Sequence, residues 1–68
     1  MNKPEDLLNN REIIIEMLPV GSIMRVSAMD VATLTEVVIQ GPVRAGDHVL
    51  RANVLKRLSY VLKNKGVL

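Results

Sequence analysis

Arg51, Asn53, Lys56, Arg57, Tyr60 and Lys63 crowd into the last third of the chain. They are side-chain types that meet phosphates and base edges. Arginine can pair bidentately with guanine and asparagine with adenine, while lysine mostly answers phosphate charge. The ring of Tyr60 can stack on a base or pack on a neighbouring helix. The cations equally suit a solvated helix face or an acidic protein partner. No other group in the chain has comparable density. His48 is the sole histidine and there is no cysteine, so a metal site would need Asp47 and distant carboxylates. Ser22, Ser27 and Ser59 have no base beside them in sequence, which argues against a Ser–His nucleophile. Glu12, Glu16 and Asp30 read as charge on solvated helix faces. Gly41-Pro-Val-Arg-Ala-Gly-Asp47 looks like a phosphate loop but lacks the Lys-Ser/Thr pair after its second glycine. The expectation is a binding protein, not an enzyme, with no cofactor and no metal.

These residues must be held by an element, and the spacing predicts one. Leu50, Val54, Leu58, Val61 and Leu62 recur at intervals of three and four, the signature of an amphipathic helix over residues 49–65. Asp47 and Asn53 are candidate starts. Gly66 suits the left-handed C′ position that ends a helix, and Lys63 and Lys65 complement its negative end. The apolar stripe turns inward and the cations stay outside.

Upstream, Pro4, Glu5 and Asp6 favour a helix start, and Asn9 followed by Glu12 has capping-box spacing. Ile13, Ile14, Met17 and Leu18 would then form the stripe of a first helix that Pro19 and Gly21 stop. Residues 23–26 read as a short strand. Ser27 followed by Asp30 again has N-cap spacing, and Val31, Leu34 and Val38 fit a helical face. Thr33, Thr35, Val37, Val38 and Ile39 are β-branched, however, so residues 28–40 remain open between a second helix and a hairpin at 23–40. Residues 41–46 form a loop.

Sixty-eight residues make one small domain, with residues 1–8 as a fraying lead-in. The apolar share of 49% argues for a folded chain. Tyr60 is the only aromatic, so the core is aliphatic and modest, and oligomerisation is a reasonable way to complete it. The absence of cysteine excludes disulfides. No apolar run is long enough to span a bilayer, and residues 1–6 carry no signal-peptide core, so a cytoplasmic location away from membranes is expected. Charge is divided unevenly. Residues 1–42 hold three cations against six carboxylates, while residues 43–68 hold six cations against Asp47 alone. A basic half of this kind draws polyanions.

The order helix, short extended piece, second helix, loop, basic helix resembles a winged-helix or helix-turn-helix DNA-binding domain over residues 10–68. Arg11-Glu-Ile-Ile-Ile-Glu-Met-Leu18 is similar to the family's first helix. Met24-Arg-Val-Ser-Ala-Met-Asp-Val-Ala32 is similar to its short strand and the start of its second helix. Asn53 to Leu68 is similar to its recognition helix running into a wing. The resemblance implies a mostly α, three-helix bundle. It also implies that Arg51, Asn53, Lys56, Arg57 and Tyr60 face duplex DNA, in a small transcriptional regulator acting as a dimer. The alternative is a protein-interaction or oligomerisation module that binds no nucleic acid.

Overall fold

A computed structural model of the chain describes residues 8–68. The order is β1 (Ile13–Val20), β2 (Ile23–Asp30), β3 (Thr35–Pro42), a 3-10 turn (Val43–Ala45) and one helix, α1 (Asp47–Asn64). The strands form an antiparallel meander in the order β1-β2-β3. The fold is therefore α+β, which overturns the mostly α three-helix bundle. The predicted first helix is β1, and the predicted second helix is the end of β2, a turn and β3. The pairing of β2 with β3 runs from Ile23↔Pro42 to Asp30↔Thr35, the region left open as a hairpin at 23–40. The expected helix start at Pro4, Glu5 and Asp6 lies outside the described residues.

Local chemistry explains why strands win. Ile13, Ile14 and Ile15 are β-branched and stiff at χ1, which suits a pleated surface. Along β1, Ile13, Ile15 and Met17 are half-buried and Ile14, Glu16 and Leu18 are exposed, a period of two. Gly21-Ser22 is a two-residue turn between the paired Val20 and Ile23, and Gly21 has φ +62°. Such a turn needs a first residue that tolerates positive φ. The expected cap at Asn9 and Glu12 is instead a turn, with Arg11 N–H donating to the Leu8 carbonyl (2.9 Å). Ser27 and Asp30, the other expected cap pair, lie within β2 on opposite faces.

Residues 31–34 join β2 to β3. Leu34 stands at φ +59°, and its N–H donates to the Asp30 carbonyl (2.7 Å). A branched side chain in this region costs about 1–2 kcal/mol, which the surrounding turn must offset.

The helix α1 lies chiefly on β2 and β3. It buries Leu50, Val54, Leu58 and Leu62 against Met24, Val26 and Ala28 of β2 and Val37 of β3, with Leu8 joining from the N-terminal side. The spacing of this stripe is the one read from the sequence. Asp47 is the first helical residue, not the cap: Gly46 precedes it and no side chain caps the helix. Asn53 lies in the helix interior. At the other end Gly66 has φ +79°, its N–H donates to the Lys63 carbonyl (3.0 Å), and Val67 N–H donates to the Leu62 carbonyl (3.0 Å). This is a Schellman cap.

Close approach of α1 to β3 depends on Gly41. A Cβ there would stand 2.5 Å from Leu50 Cδ2, on a side chain only 3% exposed. Gly41→Ala is expected to lower stability by about 1–2 kcal/mol. Overpacking costs about 1–3 kcal/mol, and loss of glycine's unfolded-state freedom returns part of it. Urea unfolding of the two proteins measures the difference.

Candidate functional site

All six residues singled out from the sequence are exposed on α1, yet the structure does not bring all six together. At 100° per residue, Asn53, Lys56, Tyr60 and Lys63 share the side opposite the buried Leu58, with Arg57 beside them. Asn53, Lys56, Arg57 and Tyr60 line one shallow depression. The Arg57 guanidinium carbon lies 5.7 Å from the Tyr60 ring centroid, a cation–π distance. The stacking holds the arginine fork near the ring while both stay open to solvent. Arg51 falls on the other side of the helix, roughly 140° from Lys56 by the same geometry. It is exposed but is not part of this group.

The charge of the face is uncompensated. Among the described residues the one ion pair is Arg11 with Asp30, and it includes none of these cations. None of Lys56, Arg57 and Lys63 meets a carboxylate of the same chain at salt-bridge distance among the described residues. The hydrogen-bond chemistry on offer is donor-rich: guanidinium, ammonium, carboxamide and phenol, with no base placed to abstract a proton. Such donors are chemically suited to an anionic partner.

A second cluster was not foreseen from the sequence. Asp30 is fully buried, and Arg11 grips it bidentately, Nε to Oδ1 (2.8 Å) and Nη2 to Oδ2 (2.9 Å). Thr33 adds its hydroxyl (2.6 Å) and its backbone N–H (3.1 Å), both to Oδ2. The Thr33 and Thr35 hydroxyl oxygens are 2.8 Å apart. The single Thr33 proton goes to Asp30, so Thr35 donates to Thr33. Lys65 Nζ in turn donates to Thr35 Oγ1 (3.2 Å). The Arg11 fork, aided by the Thr33 hydroxyl, holds the Asp30 carboxyl well below the usual carboxylate range, against the opposing effect of burial. The same pairing pushes Arg11 upward. Every polar atom here is satisfied, so the cluster reads as a tie joining the N-terminal segment, the β2–β3 turn and the end of α1. The expectation of Glu12, Glu16 and Asp30 as solvated helix charge is corrected: Glu12 and Glu16 are exposed, but Asp30 is buried in the sheet. Two signals were present. Val26, Ala28 and Asp30 alternate, which puts Asp30 on the buried face. Asp30 precedes Thr33 by three, the spacing of a side-chain-capped turn.

The remaining candidates stand apart from both clusters. His48 is exposed on the first turn of α1, and no three potential metal ligands cluster among the described residues. Ser59 is buried and donates to the Lys56 carbonyl (2.9 Å), a helix back-bond. The glycine-rich stretch from Gly41 is the end of β3, the 3-10 turn and the Gly46 lead-in to α1. A cleft beside it is lined by Gly21, Ser22, Ile23, Pro42, Val43 and Arg44, with one charged group. No helix of the described residues is long and apolar enough to cross a membrane.

A β-meander covered on one face by a single basic helix defines a small α+β protein with a donor-rich helix surface. The chain belongs to a family described as a domain of unknown function, DUF6898, whose model matches residues 10–65. That span opens just before Arg11 and closes on Lys65, so it contains the whole sheet, α1 and the Asp30 tie. No curated protein matches the chain. No solved structure matches it.

Proposed function

We propose that this chain is a nucleic-acid-binding module that meets duplex DNA through the outward side of α1, in the role of a small transcriptional regulator. The observation that carries the reading is the uncompensated charge: Lys56, Arg57 and Lys63 stand exposed on one helix without a carboxylate partner among the described residues. A major groove about 12 Å wide admits an α-helix. From Asn53 to Lys63 the face runs roughly 15 Å along the axis at 1.5 Å per residue, enough to reach several phosphates. Lys56 and Lys63 would supply point charge to the backbone. Arg57 and Asn53 would supply the planar donors that read base edges, and Tyr60 would fix the Arg57 fork. Arg51, on another side of the helix, would add only long-range attraction. The single helix replaces the helix-turn-helix scaffold, so its register on DNA would come from its own phosphate contacts.

Titration of a labelled duplex by fluorescence anisotropy at two salt concentrations tests this. Three or four phosphate contacts give a slope of log K against log salt near −3. Arg57→Ala is expected to weaken binding about tenfold or more while moving unfolding stability by less than about 0.5 kcal/mol, because the position is exposed. No binding at low salt would end the reading.

A second reading, a protein-interaction module that binds no nucleic acid, is favoured by one observation. The sheet face away from α1 exposes Ile14 (45%), Leu18 (58%), Ile23 (40%) and Val38 (43%), where an antiparallel sheet usually presents polar residues. Loss of DNA binding with retained self-association would move the chain to this class.

A further inference from the structure

We infer that the outer edge of β1 pairs with the same edge of a second copy of this chain, antiparallel about a two-fold axis at Ile15, to give one six-stranded sheet. The inference deepens the self-association reading by naming its partner and surface, and it does not require that α1 bind nucleic acid.

Three observations carry it. The core is unfinished at β1. Because α1 lies over β2 and β3, Ala28 and Val37 are buried, while Ile15, in the same cross-strand row, is only half-buried. Ile13 and Met17 repeat this beside the buried Asp30 and Val26. Among the described residues a helix-side apolar strip therefore runs up to the sheet edge and is only half covered there. Among the described residues no strand pairs with that edge.

The edge is also chemically open. Val31 N–H donates to the Glu12 carbonyl (3.1 Å), which extends the β1–β2 ladder. Backbone groups alternate sides along a strand, so the even residues of β1 bond β2. The N–H and C=O groups of Ile13, Ile15 and Met17 then point outward. Pro19 shares their parity, so its missing N–H falls on the outer side and costs the β1–β2 ladder nothing. From Ile13 to Leu18 neither proline nor lysine blunts the edge, as it commonly does where pairing is avoided.

Of the registers centred on the middle of the strand, at Ile14, Ile15 or Glu16, one makes it complementary to itself. Helix-side residues must pair with helix-side residues, which requires partners whose numbers sum to an even value. A two-fold centred on Glu16 would oppose Glu16 to Glu16, and one centred on Ile14 would oppose Glu12 to Glu16 twice; both juxtapose like charges. Centring on Ile15 pairs Ile13 with Met17 and Ile15 with itself, and sets Glu16 opposite Ile14. The two symmetry-related Ile13–Met17 pairs and the central Ile15 pair exchange roughly six backbone hydrogen bonds. The two half-buried strips then meet in the gap between the two helices. Both α1 helices end on the same face of the joined sheet.

The test uses the whole chain, which has no native cysteine to interfere. In the proposed register the two Ile15 Cα atoms lie about 5.5 Å apart, within disulfide reach. Ile15→Cys is expected to cross-link into a dimer of twice 7.5 kDa on mild oxidation, and Val38→Cys, on the open sheet face, is expected to stay uncross-linked. Light scattering of the unmodified chain should give the dimer mass. Ile15→Pro should return it to the monomer mass with its circular dichroism intact, because position 15 makes no ladder bond to β2. Cross-linking through Val38 and not Ile15 would show face-to-face packing and overturn the edge pairing. A unmodified chain that stays at 7.5 kDa up to millimolar concentration, with no Ile15→Cys cross-link, would overturn it as well.

Discussion

Leu58→Ala is expected to lower unfolding stability by about 2–5 kcal/mol. Leu58 is fully buried and sits midway along the stripe that α1 lays on β2 and β3, between Val54 and Leu62, which are also fully buried. Truncation removes the transfer free energy of the lost methyls and leaves a cavity that two sheet strands and a helix cannot readily close. The core holds no aromatic ring, and its leucines and valines are already packed against one another, so they can close the cavity only in part. A chain of this length has total stability on the order of 3–10 kcal/mol, so the variant would stand near or past half-unfolded at 37 °C. Circular dichroism in a urea series measures the change. The neighbouring Arg57→Ala is the control: one residue along, on the outward side, it should leave the urea midpoint nearly unmoved. If Arg57→Ala unfolds the chain and Leu58→Ala does not, the inward and outward sides of α1 have been exchanged.

That pair of substitutions rests on the one element whose geometry the sequence displayed in full. Eighteen residues of α1 give five turns in which Leu50, Val54, Leu58 and Leu62 can mark a single period, and Gly66 supplies a stop with its own hydrogen bonds. The first forty residues offered no such length. Ile13, Ile14, Met17 and Leu18 fit a helical stripe, but Ile13, Ile15 and Met17 fit a strand equally well, and eight residues cannot separate the two periods. Cap spacings at Asn9–Glu12 and Ser27–Asp30 favour helix, although the same residue types serve turns. The deciding signal was Gly21-Ser22, two residues between two apolar runs, which marks a hairpin as firmly as it stops a helix. Once β1 and β3 are strands, the resemblance to a helix-turn-helix protein loses the second helix on which its scaffold depends. The outward residues of α1 survive that loss because their exposure follows from the helix alone. The Arg11–Asp30 pair lay beyond sequence reasoning for another reason: its members are nineteen positions apart, and only the strand pairing brings them together.

Asp30→Ala is expected to lower stability by about 2–4 kcal/mol, since it deletes the charged acceptor of four hydrogen bonds, two of them from the Arg11 guanidinium. The Arg11 side chain retains 21% of its surface in water, so it can rehydrate in part, which keeps the loss below that of a wholly buried pair. For a domain of this size each kcal/mol moves Tm by about 4–8 °C, so the melting point should fall by roughly 8–30 °C. The same pair makes stability depend on acid. The folded Asp30 carboxyl is held below its ordinary value of 3.8. Its contribution is therefore complete above that value and shrinks as pH falls through it toward the lower folded value. Denaturant midpoints should stay level in this respect at neutral pH and decline below about pH 4, with the decline still in progress at pH 2. Asp30→Asn, which keeps the shape and one acceptor oxygen but cannot ionise, should lose most of the neutral-pH advantage and flatten that part of the acid slope. A variant as acid-sensitive as the unmodified chain would place the titrating carboxylate elsewhere. Because the cluster lies apart from Lys56, Arg57 and Tyr60, any polyanion affinity measured under conditions where Asp30→Asn remains folded should be retained. The tie and the donor-rich face are thus separable by experiment: one governs whether the meander closes on α1, the other what the closed protein can bind.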